Sequence, residues 1–251
     1  MLASLKSDFR KLLSVRSTYL VISLALALIG FIAFYVSGYR DNVQYLDKFF
    51  LDHGIFTWVN TIGMFIAIVT ALQMGHEYRY STIMYTLTSS GSRTRTLLSK
   101  IVVSTVFAVV VVVITALFGA IMQYFGALTA GHHPEPQHFQ VVQLLWRCLL
   151  FGWFYAMIGL VLAVLFRQIV AIIVTLFLVP STVEPLLSML LKDNAKYLPF
   201  TALDPVITGS SSTATGHAAL SPAAGALTFG IYLAVLWLAT WIVFLKRDAT
   251  N

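Results

Sequence analysis

The sequence predicts an all-α polytopic membrane protein, and three observations carry that reading. Six long apolar runs occupy most of the chain, at residues 19–36, 55–74, 101–127, 144–166, 169–191 and 223–245. Hydrophobic residues make up 59% of the composition and charged residues 10%. A soluble domain carries about 25% charged residues, so this chain has too few to coat a water-facing surface. The basic residues, finally, gather on one side of the runs. Each run is near the ~20 residues that a helix needs to cross ~30 Å of hydrocarbon. Lipid supplies no partners for backbone N–H and C=O groups, so runs of this length must be helical. Six spans and short connections use up the 251 residues, which leaves one membrane domain, 1–251.

The segment before the first span, 1–18, reads as an amphipathic helix lying in the membrane interface. Leu2, Leu5, Phe9, Leu12 and Leu13 recur at helical spacing, while Lys6, Arg10, Lys11 and Ser14 face elsewhere. No small-residue cleavage site follows the first run, so no cleavable signal peptide is expected. Counting Lys and Arg on each side sets the orientation. Lys6, Arg10, Lys11, Arg16, Arg79, Arg93, Arg95, Lys100, Arg167, Lys246 and Arg247 fall on one side; Arg40, Lys48, Lys192 and Lys196 fall on the other. Both termini are therefore expected in the cytoplasm of a multi-pass plasma-membrane protein. The net charge of +6 sits beside the spans, where anionic lipid headgroups explain it better than nucleic acid does.

Between the second and third runs lies the longest cytoplasmic connection, 75–100. It carries a short semi-apolar stretch at 81–87 and a turn at 89–92. A plain polar loop would not need Ile83, Met84, Tyr85 and Leu87, so the stretch predicts a short helix docking into a cleft of a soluble partner. Ile83 and Leu87, at i and i+4, are the side chains expected to enter that cleft. The fourth and fifth runs are joined by Arg167-Gln168 alone and must form a tight helical hairpin. Pro180 lies in the fifth run and Pro185 follows Glu184, which predicts a broken helix. A partly re-entrant outer segment is expected next, and then a flexible loop through the Gly-Ser-Thr-rich run 209–216. The sixth run closes the chain.

Chemistry-bearing motifs are sparse. There is no G-x-x-x-x-G-K-[ST], no G-x-G-x-x-G after a strand and no H-E-x-x-H. Cys148 is the one cysteine, which excludes an internal disulfide and a multi-cysteine metal site. His132, His133 and His138 cluster in a loop with two prolines, a poor metal site that reads as solvated loop. Asn60, Gln73 and Gln123 read as interhelical glue. Charges at membrane depth are costly, and two stand out. Arg147 and Glu184 sit at the outer ends of the fourth and fifth runs, at similar depth, and form a candidate outer-gate pair.

Several loose motifs then fall into a recognisable order. Lys11-Leu12-Leu13-Ser14-Val15-Arg16-Ser17-Thr18-Tyr19 precedes the first span. Glu77, Thr82, Leu87, Arg93 and Lys100 mark the first cytoplasmic loop. Gly159 and Leu165-Phe166-Arg167 lead into the hairpin, Tyr197-Leu198-Pro199 lies in the outer segment, and Leu245-Lys246-Arg247-Asp248-Ala249 ends the chain. In this order and spacing, nearly the whole chain resembles the type-2 permeases of ATP-binding-cassette (ABC) exporters. The resemblance implies that 1–18 forms an elbow and that 81–87 forms a coupling helix. Ser81, Thr82, Ile83, Met84 and Leu87 would then face the ATPase, and Glu77 would anchor the start of that helix. The family often has Gly where Ser81 stands and Pro near Ser90-Gly91.

The resemblance further implies two permease copies, or two related permeases, meeting in the membrane with two cytoplasmic ABC ATPase subunits below. ATP and Mg would be bound by those partners and by no site in this chain. The path would run between spans one, two and five. The aromatic and apolar composition favours an amphipathic or hydrophobic cargo, such as a drug, an antimicrobial peptide or a lipid-like compound. Two other classes share parts of the pattern. An integral membrane enzyme would need converging nucleophile, base or metal ligands, and the sequence offers no such set. A non-transporting membrane anchor or sensor would share the topology.

Overall fold

The computed structural model describes the backbone of residues 2–39, 54–90, 92–131, 141–208 and 220–246, with side chains over 4–35, 61–88, 92–131, 145–207 and 220–246. His132, His133 and His138, the run 209–216, the basic residues Arg40 and Lys48 and the side chain of Asn60 lie outside these residues. The described chain is helical: α1 (Leu2–Ser14), α2 (Arg16–Tyr39), α3 (Gly54–Arg79), α4 (Ile83–Ser90), α5 (Arg93–Thr129), α6 (Val141–Phe166), α7 (Ile169–Leu178), α8 (Glu184–Leu191), α9 (Asp204–Thr208) and α10 (Pro222–Lys246). A π-turn, Val179–Val183, joins α7 to α8, and 3-10 turns Lys192–Tyr197 and Thr201–Leu203 lead into α9.

Among the described residues, five helical segments are long and apolar enough to cross a bilayer: Arg16–Tyr35, Arg93–Thr129, Leu145–Phe166, Ile169–Tyr197 and Pro222–Lys246. This is an all-α polytopic membrane fold. The 26-residue α3 runs through the bundle beside them. At 1.5 Å per residue the 37-residue α5 is roughly 55 Å long, well beyond the hydrocarbon thickness. Its first two turns therefore extend past the apolar run and carry polar residues that meet α1 and the end of α3.

The bundle centres on α6. Two-thirds of its span (67%) is buried, against 22% for α10 and 17% for the α7–α8 rod. Close approach of α3 to α6 depends on residues without side chains: a Cβ on Gly159 would lie 2.2 Å from the Ala67 carbonyl oxygen, and one on Gly63 would lie 2.9 Å from the rings of Phe151 and Tyr155. Small residues let helices in lipid gain packing contact where no hydrophobic driving force separates protein from solvent. Some polar side chains within the bundle bond to one another, although Gln73 Nε2 is buried without a partner among the described residues. Ser104 Oγ donates to Gln73 Oε1 at 3.0 Å and Trp153 Nε1 donates to Thr105 Oγ1 at 3.1 Å.

Three expectations need correction. The apolar face of α1 does not lie free in the interface: Leu12 is buried, and Leu5 and Phe9 pack on the protein core, leaving Leu13 exposed. The short helix starts at Ile83 rather than at Ser81. Ser81 adopts φ +53°, which places it in the turn that ends α3. Pro180 and Pro185 do not break the fifth helix. Pro180 enters the wider π-turn, where the Glu184 N–H reaches back to the Val179 carbonyl. Ser181 Oγ donates to the Phe177 carbonyl. Pro185 sits in the first turn of α8, where a missing N–H costs little. The break comes later, at Lys192 (φ +49°).

Candidate functional site

Two polar assemblies occupy opposite ends of the bundle. At the basic end, α3 finishes with Arg79 in its last turn, a cation that suits the negative end of a helix dipole. The chain then turns: Tyr80 N–H bonds the His76 carbonyl at 2.9 Å and Thr82 N–H bonds the Glu77 carbonyl at 3.0 Å. After α4, Ser92 caps α5 by accepting from Arg95 N–H at 3.2 Å. These caps bring Glu77, α4 and the first turns of α5 together beside α1.

Lys100 fills the space between them and is 1% exposed. Its Nζ donates to Glu77 Oε1 at 2.7 Å and to Asp8 Oδ1 at 3.2 Å. Ser99 Oγ donates to Asp8 Oδ2 at 2.5 Å. From α1, Lys11 reaches the same Glu77 Oε1 at 2.9 Å and Thr86 Oγ1 on α4 at 3.1 Å. Two ammonium and two carboxylate groups thus balance, with the acids and Lys100 buried and Lys11 about half exposed. A buried charge is tolerable when paired and hydrogen-bonded in this way. The cluster fastens α1, the end of α3, α4 and the base of α5 into one body. Arg167, at φ +55° in the two-residue hairpin, stacks on Tyr78 at 5.0 Å and joins the α6–α7 turn to the same end.

The candidate coupling residues divide between the two faces of α4. Ile83 is 1% exposed and Leu87 packs on the core, so neither is free to enter a partner's cleft as expected. A helix that begins at Ile83 presents i and i+4 inward. Ser81, Thr82 and Met84 are exposed, and beside them stand Tyr80 and Tyr85, the latter 76% exposed. Glu77 is buried in the ion cluster.

At the opposite end, Glu184 is 3% exposed. Its carboxylate accepts from Phe200 N–H (2.8 Å), Thr201 N–H (2.8 Å) and Thr201 Oγ1 (2.9 Å). It thereby caps the Thr201–Leu203 turn from a different helix, placing negative charge where unpaired N–H groups point. Among the described residues no ion pair joins Glu184 to Arg147, which stands half-buried on α6. The capped turn folds back onto the bundle. Phe200 meets Tyr155 at 5.9 Å and Phe229 at 6.3 Å between ring centroids. Asp204, at the start of α9, lies partly exposed beside this turn. Desolvation first, and the Glu184 charge second, push its carboxyl up to about 6.

Sequence reasoning missed Asp8. An acid between Lys6 and Arg10 in a basic helix was the available signal; its partner Lys100 lies 92 residues away. It also missed the capping role of Glu184, whose N–H donors follow 16 and 17 residues later.

Long apolar helices around a buried central span, with charge confined to the two ends, define an all-α polytopic membrane protein. Residues 28–250 match the family described as "Protein of unknown function (DUF2705)", and the chain belongs to that family. No curated protein matches the chain.

Proposed function

We propose that this chain is the membrane-spanning permease subunit of an ABC exporter. In this reading α2, α3, α5, α6, the α7–α8 rod and α10 are six spans of the plasma membrane, and both termini and the basic end face the cytoplasm. Two copies, or this chain and a related permease, line the path. Separate ATPase subunits bind ATP and Mg and dock against α4. The cargo is amphipathic or hydrophobic.

The observation that carries the proposal is the buried Asp8–Glu77–Lys100–Lys11 cluster. A short helix that receives force from a soluble partner must be rigidly joined to the spans, and the cluster joins α4 to α1, α3 and α5 with its charges balanced. The turn before α4 and the outward face of α4 then offer Tyr80, Met84 and Tyr85 as contacts. Exposed aromatic side chains on a short helix are common anchors in recognition.

The test is reconstitution. The chain is purified from its native membrane with whatever it binds, and ATP turnover is measured with and without it. Co-purification of an ATPase whose turnover depends on this chain supports the permease. A chain that purifies alone and leaves every ATPase unaffected favours an anchor or sensor. Chemical turnover of a lipid or peptide by the isolated chain would make it an enzyme.

A further inference from the structure

The last helix, α10, is fastened at each end by a specific contact, a donor to its final carbonyls and a glycine packed on a backbone carbonyl. One face, with Gly225, Phe229, Leu233, Thr240 and Phe244, is buried along its length, yet only 22% of the span is buried overall. At the basic end its final carbonyls, which have no partners within the helix, are taken by a residue from elsewhere. Arg93 Nη1 donates to the Phe244 carbonyl at 3.1 Å and the Leu245 carbonyl at 3.0 Å. Arg93 opens α5 directly after the Ser92 cap, close in sequence to the end of α4 at Ser90. At the far end, a Cβ on Gly225 would lie 2.3 Å from the Ala202 carbonyl oxygen. Phe229 contacts Phe154 at 4.8 Å and Phe200 at 6.3 Å. Phe200 and Thr201 are the residues whose N–H groups Glu184 holds.

We propose that α10 is a strut joining the α4–α5 turn to the Glu184-capped segment, and that Arg93 is the positioning residue that fastens its lower end. Fifteen residues separate Phe229 from Phe244, roughly 22 Å at 1.5 Å per residue. A helix transmits an axial shift over that length without needing side-chain rearrangement on the way. When α4 and the start of α5 move, Arg93 pulls the end of α10, and Phe229 and Gly225 shift against Phe200 and Ala202. The segment that Glu184 caps is then displaced at the opposite face of the bundle. That a soluble partner drives α4 rests on the permease reading; the strut does not.

Hydrogen–deuterium exchange on the full chain in lipid nanodiscs tests this, read at residues 198–207. Arg93→Gln should speed exchange there by about fivefold or more, the lower end of usual site-to-site coupling. Arg93→Lys, which retains a donor for the two carbonyls, should restore most of the protection. Arg95→Gln, on the exposed side of the same turn, should change nothing. The link is reciprocal, so Phe229→Leu should loosen residues 92–96. If Arg93→Gln loosens only 92–96 and 243–246, Arg93 is a local cap and the strut is overturned. Should Arg93→Gln fail to accumulate, Phe229→Leu decides, and unchanged exchange at 92–96 overturns the proposal. No ATPase is present in the measurement, so its failure and the failure of the permease reading are separate results.

Discussion

A lysine 1% exposed loses several kcal/mol of hydration, of the order found for buried ions. Lys100 is tolerable because Glu77 and Asp8 stand at 2.7 and 3.2 Å. Removing one member is therefore worse than removing the set. Lys100→Met alone should cost about 3–5 kcal/mol, since it strands the buried Asp8 carboxylate and leaves Glu77 only the half-exposed Lys11. Adding Asp8→Asn and Glu77→Gln should recover most of that loss. Lys11→Ala should cost no more than about 1 kcal/mol, because its ammonium is half exposed and screened. Thermal melts of the purified variants check the order; equal losses for Lys100→Met and Lys11→Ala would deny the cluster its role. Ser81 offers the opposite case. It holds φ +53°, a conformation costing about 1–2 kcal/mol for a residue with a Cβ and nearly nothing for glycine. Ser81→Gly should raise stability by about 1 kcal/mol, and a lower melting midpoint would contradict that account of the turn.

At the scale of elements, the sequence showed what periodicity and length encode. The apolar runs became the long helices, and the leucine spacing of 1–18 became α1. Less was legible where distant residues decide. The run at 101–127 sits inside a helix that begins at Arg93, since polar residues continue a helix once Ser92 caps it and Asp8 and Glu77 absorb Lys100. Ile83 and Leu87 share one face as their i, i+4 spacing requires, but that face packs on the chain's own core, which spacing alone does not decide. The prolines of the fifth run suggested a break, yet a π-turn and a first-turn position absorbed both. Glu184 found backbone donors in place of Arg147, a pairing no local pattern announces.

The capped far-end segment makes a pH prediction. The Asp204 carboxyl is raised from 3.8 to about 6, so the folded state favours its protonated form. That contribution to stability is complete below about pH 4 and is lost as pH rises through about 6. Asp204→Asn, neutral throughout, should flatten the dependence of the melting midpoint over that window and should melt higher than the parent near pH 7. An unchanged profile would mean that another group titrates there.

For the molecule as a whole, charge and burial are arranged by end. The central α6 and the glycine-lined α3–α6 contact give a tight core, while α10 and the α7–α8 rod pack loosely around it. The basic end is locked by ions, and the far end is closed by a carboxylate holding a folded-back turn. A permease requires such a division, with a firm platform to receive force and weakly buried helices to respond. The most direct test of the permease reading sets the two faces of α4 against each other. With a co-purified ATPase in hand, its retention and its ATP turnover are compared for Tyr85→Asp and Ile83→Val. The outward Tyr85→Asp should abolish both while leaving the melting midpoint of the chain unchanged. The inward Ile83→Val, costing about 0.5–1.5 kcal/mol, should lower the midpoint and leave binding intact. Retention and full turnover with Tyr85→Asp would contradict the account.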